Sequence, residues 1–200
     1  MAAATLYVYS DIGGTANTPA SSSRIDNLGP PALRFKTADD RTIDTANPIL
    51  VSSTVTRYSY WKHIYLYVGI NASANDIDNI RFYSDGAIGF GTGVTLNVAD
   101  ETPTKNSGSS AGYDPAAGSE GITGNVVTTH TDVTAVTDAA SLTSGSPLTV
   151  SVSEDGGTTD PMTTVGDTSD YVILQVAVAT TASAGLTASE TLTFQYDETP

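Results

Sequence analysis

Tyr171-Val172-Ile173-Leu174-Gln175-Val176-Ala177-Val178 is the clearest pattern in the chain, and its reading decides the fold class. Val172, Leu174, Val176 and Val178 fall on one face at period two, with Tyr171, Ile173, Gln175 and Ala177 on the other, as in a β-strand. Burying four aliphatic side chains at about 1.5–3 kcal/mol each makes this strand a core element. Glu190-Thr191-Leu192-Thr193-Phe194-Gln195-Tyr196 alternates too, with Leu192, Phe194 and Tyr196 on one side and a wetted threonine-rich face on the other. The short polar connection between the two predicts that they pair antiparallel. The expected fold is an all-β antiparallel β-sandwich, Ig-like or jelly-roll-like, with long irregular loops.

A second strong signal is Lys62-His63-Ile64-Tyr65-Leu66-Tyr67-Val68, where Ile64, Leu66 and Val68 form an aliphatic face and His63, Tyr65 and Tyr67 an aromatic one. Both faces are therefore expected to be covered or used. Asn75-Asp76-Ile77-Asp78 reads as a turn, Asn79-Ile80-Arg81-Phe82-Tyr83 and Gly93-Val94-Thr95-Leu96-Asn97-Val98 as strands, and the three strands together as a meander or part of a Greek key. Further strands are expected at Thr5-Leu6-Tyr7-Val8-Tyr9, Ala32-Leu33-Arg34-Phe35-Lys36, 49–58 and Pro147-Leu148-Thr149-Val150-Ser151-Val152. Val133, Val136 and Ala140 behind Thr131 have helical spacing and predict one short helix. Glu154-Asp155-Gly156-Gly157 reads as a turn. Residues 11–31 and 100–124, rich in Gly, Ser, Pro, Asn and Asp, read as a long irregular connection and a Gly/Ser-rich excursion from a single domain spanning 1–200.

Composition narrows the function classes. The 22 acidic residues against 8 Lys plus Arg give a formal charge of −14, which repels a phosphate backbone and argues against direct nucleic-acid binding. Most of the acids, Asp39, Asp40, Asp76, Asp78, Asp100, Asp155, Asp160 and Asp167 among them, are expected in solvated loops. The absence of cysteine rules out disulfides and thiolate metal sites. No stretch approaches the roughly 18 apolar residues of a membrane helix. Ala2-Ala3-Ala4 runs into Leu6-Tyr7-Val8-Tyr9 without the basic and apolar regions of a signal peptide, so the chain reads as made in the cytoplasm and kept soluble.

Motifs with chemistry are few. Gly108-Ser109-Ser110-Ala111-Gly112, with Asp114 and His130 downstream, has the written form of a nucleophile elbow but lacks the strand and helix that would hold its serine strained; a hydrolase would need Ser110 and His130 within hydrogen-bond reach. Two histidines, His63 and His130, leave little for a zinc site or a general-base network, and no catalytic, metal or cofactor residue is assigned. Asp76-Ile77-Asp78 and Asp155-Gly156-Gly157 with Asp160 offer oxygen ligands for calcium without matching an EF-hand loop. Asn71-Ala72-Ser73 is a glycosylation sequon only in a secreted eukaryotic chain. The surface candidates are Arg57, Tyr58, Tyr60 and Trp61, joined by His63, Tyr65 and Tyr67, an aromatic and basic concentration suited to a protein interface or a sugar-stacking platform.

The ending, Tyr171-Val172-Ile173-Leu174-Gln175-Val176-Ala177-Val178, then Thr181-Ala182-Ser183-Ala184-Gly185, then 190–198, resembles the closing strands of Ig-like sandwich modules. More particularly, it is similar to small virion proteins of tailed bacterial and archaeal viruses. About thirty residues carry that resemblance. It implies a non-enzymatic capsid decoration, or cement, protein on the capsid exterior, or a tail or neck component. The implied partners are the major capsid protein and copies of the chain itself as a homo-oligomer, with 11–31 and 100–124 as contact elements. The alternative is a carbohydrate-binding or adhesin-type module, which would present coplanar rings from Tyr58, Tyr60 and Trp61.

Overall fold

The computed structural model describes residues 2–29, 33–101, 105–106, 108–116, 126–152, 161–185 and 187–200. Among these described residues ten strands follow in order: β1 (Thr5–Thr15), β2 (Thr18–Arg24), β3 (Arg57–Tyr58), β4 (Lys62–Ile70), β5 (Asp76–Tyr83), β6 (Val94–Glu101), β7 (Val133–Asp138), β8 (Leu148–Thr149), β9 (Val172–Val178) and β10 (Thr193–Thr199). They form two antiparallel sheets, a large one ordered β2-β1-β4-β9-β6-β7, with β3 also on β9, and a small one ordered β10-β5-β8. This is the all-β sandwich expected from the alternation. The core lies between the sheets. Ile64, Leu66 and Val68 of β4, Leu96 and Val98 of β6, and Val172, Leu174 and Val176 of β9 meet Ile77, Ile80 and Phe82 of β5, and Phe82 and Phe194 rings stand 4.9 Å apart.

Three connections differ from expectation, each for a physical reason. β9 and β10 do not pair. One side of β9 is taken by β4 and β3 and the other by β6, so β10 crosses to the small sheet and lies on β5. For the same reason β4, β5 and β6 alternate between sheets instead of forming a meander. Residues 11–24 are not irregular. β1 continues to Thr15, and β2 returns beside it through a two-residue turn in which Asn17 takes φ 57°, a left-handed conformation that asparagine tolerates.

The expected helix after Thr131 is β7, paired with β6. Asp100 opposes Ala135 but Glu101 opposes Val133, so one extra residue bulges from β7. The bulge puts Val133 and Val136 on the same face of a strand, which reproduces a helical i, i+3 spacing. The turn expected at Asn75–Asp78 is the start of β5, with Ile77 buried. Of the strand expected at 49–58 only Arg57–Tyr58 pairs, and Leu33–Lys36 is not a strand. Lys36 instead turns inward to Asp40 and Asp44 at 2.8 and 3.0 Å. The Pro147–Val152 strand shrinks to two residues, and the turn expected at Glu154–Gly157 lies outside the described residues.

Candidate functional site

The outward face of the large sheet carries the chemistry. Cross-strand pairing sets Asp11 beside His63, His63 beside Ile173 and Ile173 beside Ala99, and period-two alternation brings Tyr9, Tyr65, Tyr67, Tyr171 and Glu101 to the same side. Two stretches of loop cover this face. The first, 108–116, docks on the tip of the β1–β2 hairpin: Asn17 N donates to Tyr113 O at 2.7 Å, Gly112 N to Asn17 Oδ1 at 2.9 Å and the Tyr113 hydroxyl to Gly13 O at 2.7 Å. The second, 126–130, is fixed where Val127 N donates to the buried Gln175 Oε1 at 2.7 Å.

Beneath them lies a layer of buried polar groups. Asp11 accepts from the Tyr65 hydroxyl at 3.0 Å and from the Tyr171 hydroxyl. Lys105 Nζ sits 4.0 Å from Asp11 Oδ2, over the Tyr65 and Tyr171 rings, and donates to Ser109 O at 2.8 Å. Asp170 Oδ1 accepts from the backbone N–H groups of Lys105 and Tyr171. Burial pushes the Asp170 carboxyl up to about 8 and raises both tyrosine hydroxyls, reinforced at the tyrosines by the Asp11 charge.

At the edge of this layer His63, His130 and Glu101 converge, all three sealed from solvent at 1%, 4% and 1% exposure. The two imidazole Nε2 atoms are 3.1 Å apart, and Glu101 Oε1 is 3.5 Å from His63 Nε2 and 3.9 Å from His130 Nε2. Neither Glu101 oxygen has a hydrogen-bond partner among the described residues. Burial, then the charges of Asp170, Asp132 and Asp100, push its carboxyl up to about 11. Burial drives His63 well below the ordinary imidazole range, helped by His130 and Lys62. His130 is lowered by burial against the opposing charges of Asp114 and Asp132. Aromatic rings wall the group: Trp61 against His130, and Tyr113 and Tyr171 against His63.

The interface candidates divide. Arg57, Tyr58, Tyr60 and Tyr67 are half-buried, whereas Trp61, His63 and Tyr65 are inside the fold. Trp61 is 2% exposed and donates its indole N–H to Asp114 O at 2.9 Å, so a stacking platform that includes it is not at the surface. Among the described residues no hydrogen bond joins Ser110 to His130, which bonds His63 and the Asp132 N–H. Asp76 and Asp78 flank buried Ile77 on β5, and Asp155, Gly156, Gly157 and Asp160 lie outside the described residues.

Several acids expected in solvated loops serve the interior. Asp167, 2% exposed, accepts from Thr163 N and Thr164 N, and Asp39 faces the buried Lys62 Nζ at 3.6 Å. Sequence reasoning also missed Asp11, Glu101, Lys105 and Asp170. Asp11, in the register of a strand on the face opposite Val8, carried the one usable signal; Glu101 and Asp170 sit at or just outside strand ends, where alternation fades, and Lys105 lies in a loop.

At another part of the sandwich the sheets splay around an apolar cleft of about 740 Å³, lined by Ile64, Leu96, Leu174, Phe82, Phe90 and Phe194 and by residues 183–185 and 187–192. Leu50 and Val51 stand at its rim, Leu50 59% exposed. Among the described residues no helix is long and apolar enough to cross a membrane. Compared with protein-family models, with curated proteins and with solved structures, the chain matches none.

Proposed function

We propose that this protein is a non-enzymatic structural component of a virus particle, a capsid decoration protein that works by contacts with the major capsid protein and with copies of itself. The observation that carries this reading is where the chemistry lies. The histidines, the most perturbed carboxylates and three lysines, Lys36, Lys62 and Lys105, are buried in the fold, while the accessible features are acidic loops and an apolar cleft rimmed by Leu50 and Val51. A surface of that kind offers contact area rather than a reacting group. The net charge of −14 suits the outside of a shell better than a lumen packed with nucleic acid. Repetition over a lattice lets small interfaces add.

Quantitative peptide counting on purified virus particles tests the proposal. Hundreds of copies, in a simple ratio to the major capsid protein, are expected. A handful would move the protein to the tail or neck, and absence from particles would overturn the reading.

A further inference from the structure

We propose that His63, Glu101 and His130 form a structural binding site for a divalent transition-metal ion of the zinc class, which ties β4, the end of β6 and the 126–130 loop together. This inference stands independently of the virion assignment. It begins with the geometry. A tetrahedral ion with bonds of about 2.0–2.1 Å holds its ligand atoms roughly 3.3–3.4 Å apart. The three donor atoms here form a triangle with sides of 3.1, 3.5 and 3.9 Å. A point equidistant from all three lies about 2 Å from each, the length of a Zn–N or Zn–O bond.

The second observation is the unpartnered carboxylate. Both Glu101 oxygens are buried without a hydrogen bond among the described residues, and one donor atom from each of Glu101, His63 and His130 lies within 4.8 Å of the other two. A buried acceptor left in that state is costly, and a cation at the centre would satisfy it together with both ring lone pairs. Two nitrogens and one oxygen suit zinc, cobalt or nickel rather than calcium or magnesium, which prefer all-oxygen shells. With three protein ligands, water supplies a fourth in a site otherwise enclosed by Trp61, Tyr113 and Tyr171.

One local change goes with binding. His130 Nδ1 accepts from Asp132 N at 3.2 Å, which places the ring proton on Nε2. An ion at Nε2 moves that proton to Nδ1, which then needs an acceptor. The Asp132 carboxylate, already close enough to act on the ring, can take this role by a shift in the 131–132 turn.

The test uses the full chain, unfolded with chelator, refolded with Zn²⁺ or Co²⁺ and freed of loose metal by gel filtration. About one ion per chain is expected by elemental analysis, with the intense visible absorption of four-coordinate Co²⁺ and a melting temperature that falls when chelator is present during refolding. Glu101→Gln, which keeps the shape and removes the anionic ligand, is expected to lower metal content at least tenfold and make melting insensitive to chelator. Less than a tenth of an ion in the wild-type chain after refolding with metal overturns the proposal, and this reading does not depend on the variant folding. A Glu101→Gln chain that retains stoichiometric Co²⁺ with an unchanged spectrum overturns it too.

Discussion

The central strands of the large sheet bury both of their faces, and the two do so by different chemistry. Its inward face is aliphatic, with Ile64, Leu66, Leu96, Val98, Val172 and Leu174 packed against the small sheet. Its outward face holds Asp11, His63, Tyr65, Glu101 and Tyr171 under loops, each polar group answered by a particular hydrogen-bond partner except Glu101, which has none among the described residues. On the first face stability follows volume; on the second it follows identity, because a buried charge without its partner costs more than a missing methylene.

The largest expected effect attacks the second face. Asp11→Ala strands two tyrosine hydroxyls and the nearby Lys105 ammonium, and urea unfolding should show a loss of about 3–5 kcal/mol. Asp11→Asn retains an acceptor and should cost clearly less; equal losses would mean that the charge, not the acceptor, matters. On the first face Leu174→Ala should cost about 2–5 kcal/mol and Leu174→Met under about 1.5. A large penalty for the methionine would break the contrast, since it would show identity ruling there as well.

Gly69→Ala probes the sheet itself. A Cβ at Gly69 would come within 2.0 Å of a Tyr7 ring carbon, and forcing that ring aside should cost about 1–3 kcal/mol, largely relieved by Tyr7→Ala in a double-mutant cycle. The smallest effect lies outside both buried faces. Glu198 accepts from Asn75 Nδ2 and from Ala4 N, and these bonds hold its carboxyl below the usual range. A depressed folded-state pKa contributes stability above the unfolded value and loses it as pH falls through the folded one. Exchange protection of the Ala4 amide should therefore drop on acidification below about pH 4, and Glu198→Gln should remove that pH dependence.

The two faces were also unequally legible in the sequence. Strict alternation in 171–178 and 62–68 announced the inner face and the sandwich, because period two survives wherever one side of a strand is apolar. It announced that His63, Tyr65 and Tyr67 share the other side, but not what covers them. That depends on loops docked by a few hydrogen bonds between residues far apart in sequence, such as Asn17 N to Tyr113 O. Residues 11–24 hid a hairpin because Gly13, Gly14 and the Ser21-Ser22-Ser23 run carry no apolar face; only Asn17 hinted at the turn. Glu101 was hidden because its alignment with His63 runs through β9, whose pairing with both β6 and β4 no local spacing announces. His63 and His130, 67 positions apart, give no spacing signal for the pair they form.

The position of β9 has a consequence for how the molecule comes into being. β4 and β6 are both flanked by β9, yet they are made some 70 to 110 residues before it. Until residues 172–178 emerge, the large sheet exists as two separate ribbons, β2-β1-β4 on one side and β6-β7 on the other, each with an open edge. Assembly is thus a late, long-range closure, with the slow kinetics of non-local pairing, and the nascent chain depends on its acidic, soluble loops to keep those edges apart until the last central strand slots in.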